Sequence, residues 1–284
     1  MGDLTAFFHP SSIAVIGASE SAGKLGHEIL KNLLDGGFPG AVYPINPNYD
    51  ELMGLKSYPD LASLPAPPEL VVIVVDLARM PEILDEMARL GCHNALIVSG
   101  GGKELGGGRA ELERTIAKKA RELDIRLIGP NCIGSFDGAS RFDSFFHSHE
   151  RLARPPAGPM SFITQSGTWG CVFLEEARIT GVSKMVSYGL AYDSDDGRAA
   201  FWAESAVEHL KTGVDTVIAV GALKPAAWSE FAGKLLTGLA SGEVTGRAFA
   251  AAASFAPLPD SRLEAIRRRA AEAVKGKGPC WWNC

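Results

Sequence analysis

Four turns rich in glycine or hydroxyl residues could carry chemistry in this chain, and each follows an apolar run. The first is Gly17-Ala18-Ser19-Glu20-Ser21-Ala22-Gly23-Lys24. Glycines let a backbone approach a phosphate closely. A helix that starts there adds free N–H groups and a partial positive charge. The spacing is not that of a P-loop, because five residues separate Gly17 from Gly23 and Leu25 follows Lys24 where Ser or Thr would be needed. Nor is it G-x-G-x-x-G. A site for NAD further needs an acid at the end of the second strand to hold the ribose hydroxyls. That position here reads Pro44-Ile45-Asn46-Pro47, without one. The turn reads as a cradle for a phosphorylated nucleotide other than NAD, set against the plainer reading of a tight strand–helix turn with no ligand.

The second turn, Val98-Ser99-Gly100-Gly101-Gly102-Lys103, leaves backbone amides free to line a groove or else forms a loop with no ligand. The third, Gly129-Pro130-Asn131-Cys132-Ile133-Gly134, aims Asn131 and Cys132 at the same crevice. No histidine lies nearby in sequence to activate Cys132, so a buried structural thiol is the better reading of that sulfur. The fourth is Thr164-Gln165-Ser166-Gly167-Thr168-Trp169-Gly170. Its hydroxyls at a helix start suit a phosphoryl group, or Ser166 simply caps the helix. It does not match the G-x-S-x-G of serine hydrolases.

The elements that must position these turns alternate. Strands are expected at 12–16, 41–45, 70–75, 94–98 and 125–128, with helices at 27–34, 81–90 and 110–123. Leu70 to Val75 is a run of six apolar residues, the pattern of a strand buried on both faces. Alternation of this kind implies a doubly wound parallel sheet. Arg151 to Pro159 holds three prolines and two arginines and reads as a linker. A second α/β block then begins, with strands at 160–164, 183–187, 214–220 and 248–255. Its helices fall at 167–177, 198–210, 228–239 and 261–274. The fold class is therefore α/β, with one block over 1–150, a linker over 151–159 and a second block over 160–284.

Composition narrows the classes. The chain has 284 residues, enough for two ordinary domains. Net charge is −5, which gives no support to nucleic acid or a membrane surface as partner. No apolar run approaches the roughly 20 residues of a membrane span. Met1-Gly2-Asp3-Leu4 lacks the start of a signal peptide, and five scattered cysteines without a C-x-x-C pair fit a reducing compartment and argue against zinc. A cytoplasmic location is the expectation. The ending, Cys280-Trp281-Trp282-Asn283-Cys284, reads as truncated or frameshifted.

Taken in order, the motifs resemble the NDP-forming acyl-CoA synthetases, the family of the succinyl-CoA synthetase α subunit and the ADP-forming acetate–CoA ligases. The resemblance runs from Phe8-His9-Pro10-Ser11-Ser12-Ile13-Ala14-Val15-Ile16-Gly17-Ala18-Ser19 through Val42-Tyr43-Pro44-Ile45-Asn46-Pro47 and Leu127-Ile128-Gly129-Pro130-Asn131-Cys132. It continues through Phe162-Ile163-Thr164-Gln165-Ser166-Gly167-Thr168 to Ser187-Tyr188-Gly189. It implies a Rossmann-like domain that binds coenzyme A, followed by a flavodoxin-like ligase domain, divergent or truncated at its C-terminus. It also implies an ATP-grasp partner that brings ATP/ADP and magnesium, and a small organic acid or acyl-CoA as substrate. Gly17, Ser19 and Lys24 would hold the CoA phosphates, Asn46 and Pro47 would flank the adenosine, and Val75, Asp76, Val98 and Ser99 would line the groove. Pro130 and Asn131 would lie near the thiol. Ser166, Gly167 and Thr168 would match the helix start that cradles the phosphate of a phosphohistidine.

The resemblance breaks where that phosphate would be handled. Leu190 stands at a family Asn, although Asp193 and Asp195 still match. Val217-Ile218-Ala219-Val220-Gly221-Ala222 offers no acid to pair with the phosphohistidine. Phe255 stands at the phosphohistidine position, and no histidine follows His209. Two functions are therefore expected as alternatives. One is the CoA-binding half of an acid–CoA ligase lacking a visible catalytic His and Glu. The other is a non-catalytic module that binds CoA or acyl-CoA for regulation. An NAD(P)-dependent oxidoreductase is disfavoured by Asn46.

Overall fold

Strand residues sort onto two faces with a period of two, and this sorting builds the first half of the molecule. In the computed structural model, β1 (Ser12–Ile16) sends Ile13 and Val15 to one apolar cluster and Ala14 and Ile16 to another. The first cluster is closed by Ile29, Leu30 and Leu33 of α1 (Leu25–Asp35). The second is closed by Ile83, Leu84 and Met87 of α2 (Met80–Leu90) and by Ile116 and Ala120 of α3 (Arg109–Glu122). Helices therefore cover both faces of one sheet, as a doubly wound fold requires. Described residues are 4–101, 106, 108–164 and 166–189, together with the strands at 216–221 and 247–252.

That sheet has the order β2-β1-β5-β6-β7, where β2 is Ala41–Ile45, β5 Leu70–Ile73, β6 Asn94–Ile97 and β7 Arg126–Ile128. Every pairing in it is parallel. The expected strand at 70–75 ends at Ile73 because Val74 and Val75 leave the ladder to cover the turn after β1. A hairpin, β3 (Glu51–Leu52) with β4 (Leu55–Lys56), was not expected from the pattern. Its two turn residues, Met53 and Gly54, both have positive φ (49° and 78°), as a two-residue primed turn demands.

The second sheet has the order β13-β12-β10-β11-β8-β9. Strands β10 (Met160–Thr164), β11 (Val182–Ser187) and β12 (Thr216–Gly221) run parallel. Strand β13 is Arg247–Ala252, and α4 (Gly167–Glu176) follows β10. Strand β8 (Gly134–Asp137) extends this sheet antiparallel to β11, and β9 (Phe142–Asp143) pairs antiparallel with β8 at its edge. They precede residue 150 in sequence yet belong to the second sheet. Lys184 lies opposite Asp137 in the β11–β8 register, and the two form an ion pair with 1% and 0% of their side chains exposed. His9 Nε2 lies 2.7 Å from the same ammonium nitrogen, so the start of the chain reaches the second sheet.

By contacts the chain divides into Met1–Ala251 and Ala252–Cys284, and the elements above belong to the first unit up to the last residue of β13. The helices expected at 198–210, 228–239 and 261–274, His209 and the ending 275–284 lie outside the described residues. So do Gly102, Lys103, Gln165, Leu190, Asp193, Asp195 and Phe255. No helix among the described residues is long and apolar enough to cross a membrane.

Candidate functional site

The turn after β1 is shaped by contacts that only glycine permits. Gly17 has φ +91°, and a Cβ there would stand 2.9 Å from Val74 Cγ2 and 3.0 Å from Val75 Cγ1. Gly26, in the first turn of α1, is tighter still, since a Cβ would lie 2.0 Å from the Gly17 carbonyl oxygen. The helix start thus presses on the turn itself, the close helix–strand approach that a phosphate cradle uses. Gly23 has φ +82°, and its N–H donates to Glu28 Oε1 at 2.9 Å. Ser19 is buried, and its hydroxyl oxygen accepts from the Ser21 N–H at 3.1 Å. Lys24 sits at the N-cap of α1, exposed, with no side-chain bond among the described residues.

Asn46 locks this turn from the next strand. Its Nδ2 donates to the Ala18 carbonyl at 2.7 Å, and its Oδ1 accepts from the Asn48 N–H at 3.0 Å. The position that would hold an acid in an NAD site therefore holds a bridge between two loops. Pro47 is exposed beside it.

Val75 and Asp76 follow β5. Asp76 is turned along the edge: Oδ1 accepts from the Ala78 N–H at 2.8 Å and from Arg109 Nη1 at 3.1 Å. These two contacts, the backbone bond first, hold its carboxyl below the usual carboxylate range. Val98 and Ser99 follow β6, and the Ser99 carbonyl accepts from the Asn131 N–H at 3.0 Å. Pro130 is buried, while Asn131 is exposed with φ +55°.

All of these positions leave the carboxyl ends of parallel strands in one sheet, the edge where open α/β sheets bind ligands. The second sheet meets them there. The Gly129 N–H donates to the Tyr188 carbonyl at 3.2 Å, and a Cβ on Gly189 would stand 2.4 Å from the carbonyl oxygens of both Pro130 and Asn131. A Cβ on Gly167 would stand 2.5 Å from Ile133 Cγ2, so α4 begins directly over the same loop. Ser166 occupies the N-cap of α4 but its side chain makes no capping bond, and Thr168 is exposed. Ser166, Gly167 and Thr168 thus open toward the ends of the first sheet, with Asn131 at the seam.

Cys132 takes the structural role. Its thiol is buried, donates to the Ile97 carbonyl at 3.2 Å, and is pushed up by burial to about 12. Such a group is not a nucleophile near neutral pH. Gly26 is not singled out by the sequence, and Gly189 enters there only as the end of the resemblance. The only signal for either is a glycine beside a motif, and the need for it depends on which carbonyl lies opposite.

Comparison with known proteins bears on the family and the fold. Residues 11–136 match the family described as CoA binding domain. Over 183 residues the chain is 39% identical to an acetate–CoA ligase [ADP-forming] of Methanocaldococcus jannaschii, covering 64% of this chain and 25% of that protein. It is 33% identical over 199 residues to the acetate–CoA ligase [ADP-forming] I subunit alpha of Pyrococcus furiosus, covering 68% of this chain and 42% of that one. The chain thus spans between a quarter and 42% of the length of these two relatives. Among solved structures, the apo dinucleotide forming acetyl-coenzyme A synthetase 1 of Ca. Korarchaeum cryptofilum is 30% identical with a TM-score of 0.75, covering 97% of this chain and 56% of that one.

Proposed function

We propose that this chain, which carries a CoA binding domain and is a relative of the ADP-forming acetate–CoA ligases, is the CoA-binding half or subunit of an NDP-forming acid–CoA ligase. The observation that carries the reading is the convergence of five loops on one sheet edge, with the glycine turn shaped by Gly17 and Gly26. The close packing that Gly17 and Gly26 allow brings the start of α1 against the turn, an arrangement that suits a backbone-held pyrophosphate. Coenzyme A, when bound, supplies the thiol that becomes acylated. Gly17, Ser19 and Lys24 would hold its phosphates, and Asn46 and Pro47 its adenosine. Val75, Asp76, Val98 and Ser99 would line the groove, with Pro130 and Asn131 near the thiol. Ser166, Gly167 and Thr168 would receive a phosphoryl group at the start of α4. The domains are read as 1–150 for CoA and 160–284 for the ligase half, joined by 151–159.

In this reading the whole reaction is acid + CoA + NTP giving acyl-CoA + NDP + phosphate. The partner is an ATP-grasp subunit or domain that holds the nucleotide and magnesium. A second reading, a regulatory module that binds CoA or acyl-CoA without turnover, is favoured by one observation. Strand β12, Thr216–Gly221, contains no acidic residue to pair with a phosphohistidine. Calorimetric titration separates CoA binding from its rivals. CoA is expected to bind well ahead of NADH, and preferential NADH binding would overturn both readings. Transfer of label from ATP to this chain by an ATP-grasp partner would favour the ligase over the regulatory module.

A further inference from the structure

The glycine turn after β1 presents more backbone donors than the protein itself uses. The Gly17 N–H donates to the Ile45 carbonyl at 3.0 Å, and the Lys24 N–H to the Ser21 carbonyl at 3.2 Å. The Ser21 N–H is taken by Ser19 Oγ at 3.1 Å and the Gly23 N–H by Glu28 Oε1 at 2.9 Å. The N–H groups of Ala18, Ser19, Glu20 and Ala22 have no partner among the described residues. Ala18 and Ser19 are buried, and buried amides are paired in nearly every native structure. Successive N–H groups left open in this way form a concavity that takes an anion.

What aims these donors lies on the other side of the same peptide planes. A trans peptide is flat, and its C=O and N–H point in opposite directions. Fixing the Ala18 carbonyl therefore fixes the Ser19 N–H, and fixing the Ser19 carbonyl fixes the Glu20 N–H. Asn46 Nδ2 does the first, at 2.7 Å. His27 Nδ1 does the second, at 3.2 Å. A carbonyl only accepts, so Nδ1 carries the proton in this bond. His27 is half-buried in the first turn of α1 and reaches back eight positions. It can do so because Gly26 lets α1 start against the turn: a Cβ on Gly26 would stand 3.0 Å from Ala18 Cα as well.

We propose that His27 is a positioning residue for the phosphate end of coenzyme A. Its imidazole holds the peptide between Ser19 and Glu20 so that the Glu20 N–H meets a phosphate oxygen, as Asn46 holds the peptide before it. His27 itself does not touch the ligand. The inference rests on the reading of this turn as the CoA cradle and adds the side chain that aims one of its donors. A bond that merely tied α1 to the turn would stabilise the fold without selecting a direction for one N–H, so the two roles part at the Glu20 amide.

The test is a titration of the full chain with CoA, followed by calorimetry and by the backbone amide shifts of Ser19 and Glu20. In the native chain both amide protons should move downfield as phosphate oxygens accept from them. His27→Phe keeps a ring of similar size and removes the donor. It should bind CoA about tenfold more weakly, the scale of one hydrogen bond to a charged group. Its Glu20 response should shrink while its Ser19 response persists, because Asn46 is untouched. His27→Asn carries an N–H donor on the same branch of the side chain as Nδ1 and should restore both the affinity and the Glu20 response. Three results would each overturn the inference and leave the CoA reading standing: native affinity in His27→Phe, His27→Asn as weak as His27→Phe, or a native Glu20 amide that stays still while Ser19 moves. The last needs no variant, so it decides even where His27→Phe does not fold. A native chain that does not bind CoA, or binds it with every amide of Gly17–Lys24 unmoved, would overturn the CoA reading and the inference with it.

Discussion

Asn46 Nδ2 donates to the carbonyl oxygen of Ala18 at 2.7 Å, tying the loop after β2 to the glycine turn after β1. Asn46→Asp keeps the shape and removes the donor, setting a carboxylate against a carbonyl. A loss of about 1–3 kcal/mol is expected for the unpaired group, read by urea unfolding. Unchanged stability would show that the turn does not depend on this bond.

Gly26→Ala should be among the costliest alanine substitutions in the chain, because its Cβ would stand 2.0 Å from the Gly17 carbonyl oxygen. Overpacking of this kind costs about 1–3 kcal/mol or more. Gly108→Ala is the control, since nothing lies within 4 Å of a Cβ there. It should change stability by no more than about 0.5 kcal/mol. Thermal unfolding of the two variants side by side checks the contrast, and equal midpoints would contradict it.

Lys184→Met removes the ammonium from the Asp137 carboxylate, whose side chain is 0% exposed, and leaves its Oδ2 only His9 Nε2 at 3.2 Å. Breaking a buried pair from one side costs about 3–5 kcal/mol. Asp137→Asn in the same chain removes the charge while keeping an oxygen for the Ala139 and Ser140 N–H groups, each at 2.8 Å. The double variant should therefore be more stable than Lys184→Met alone. Chemical denaturation measures both, and a double variant that is weaker still would refute the role given to this pair.

Burial pushes Cys92 up to about 11 and Cys132 up to about 12. At pH 8 both are thiols, and only thiolates react readily. Peptide mapping after treatment with iodoacetamide should find Cys132 unmodified in the folded chain and modified in denaturant. Rapid labelling of folded protein at Cys132 would contradict its structural role.

Much of this was legible in the sequence, for a physical reason. The β1 and β5 runs are apolar on both faces because helices cover both faces, and α1 and α2 show their buried stripes directly. Strands β8 and β9 were not legible. Gly134-Ser135-Phe136-Asp137 buries polar groups that find partners far along the chain, so no alternation marks it as a strand. Ser135 donates to the Phe7 carbonyl at 2.9 Å, and Asp137 pairs with Lys184. The loops of the site were legible as motifs, because a turn's residue types reveal what its backbone must do. What held them was not. Asn46 reads as a missing acid and acts as a bridge, and Gly26 matters only because the Gly17 carbonyl lies against it. The carbonyls of Phe145 and His147 are held by Asn32, more than a hundred positions earlier in sequence, which no local pattern announces.

Amide hydrogen exchange with and without CoA tests the central claim most directly. If the carboxyl edge of the first sheet holds CoA, protection should rise together in Gly17–Lys24, around Asn46, at Val98 and Ser99 and at Asn131. The opposite ends of the same strands should not change. CoA that leaves these loops unprotected, or that protects only residues away from this edge, would contradict the assignment.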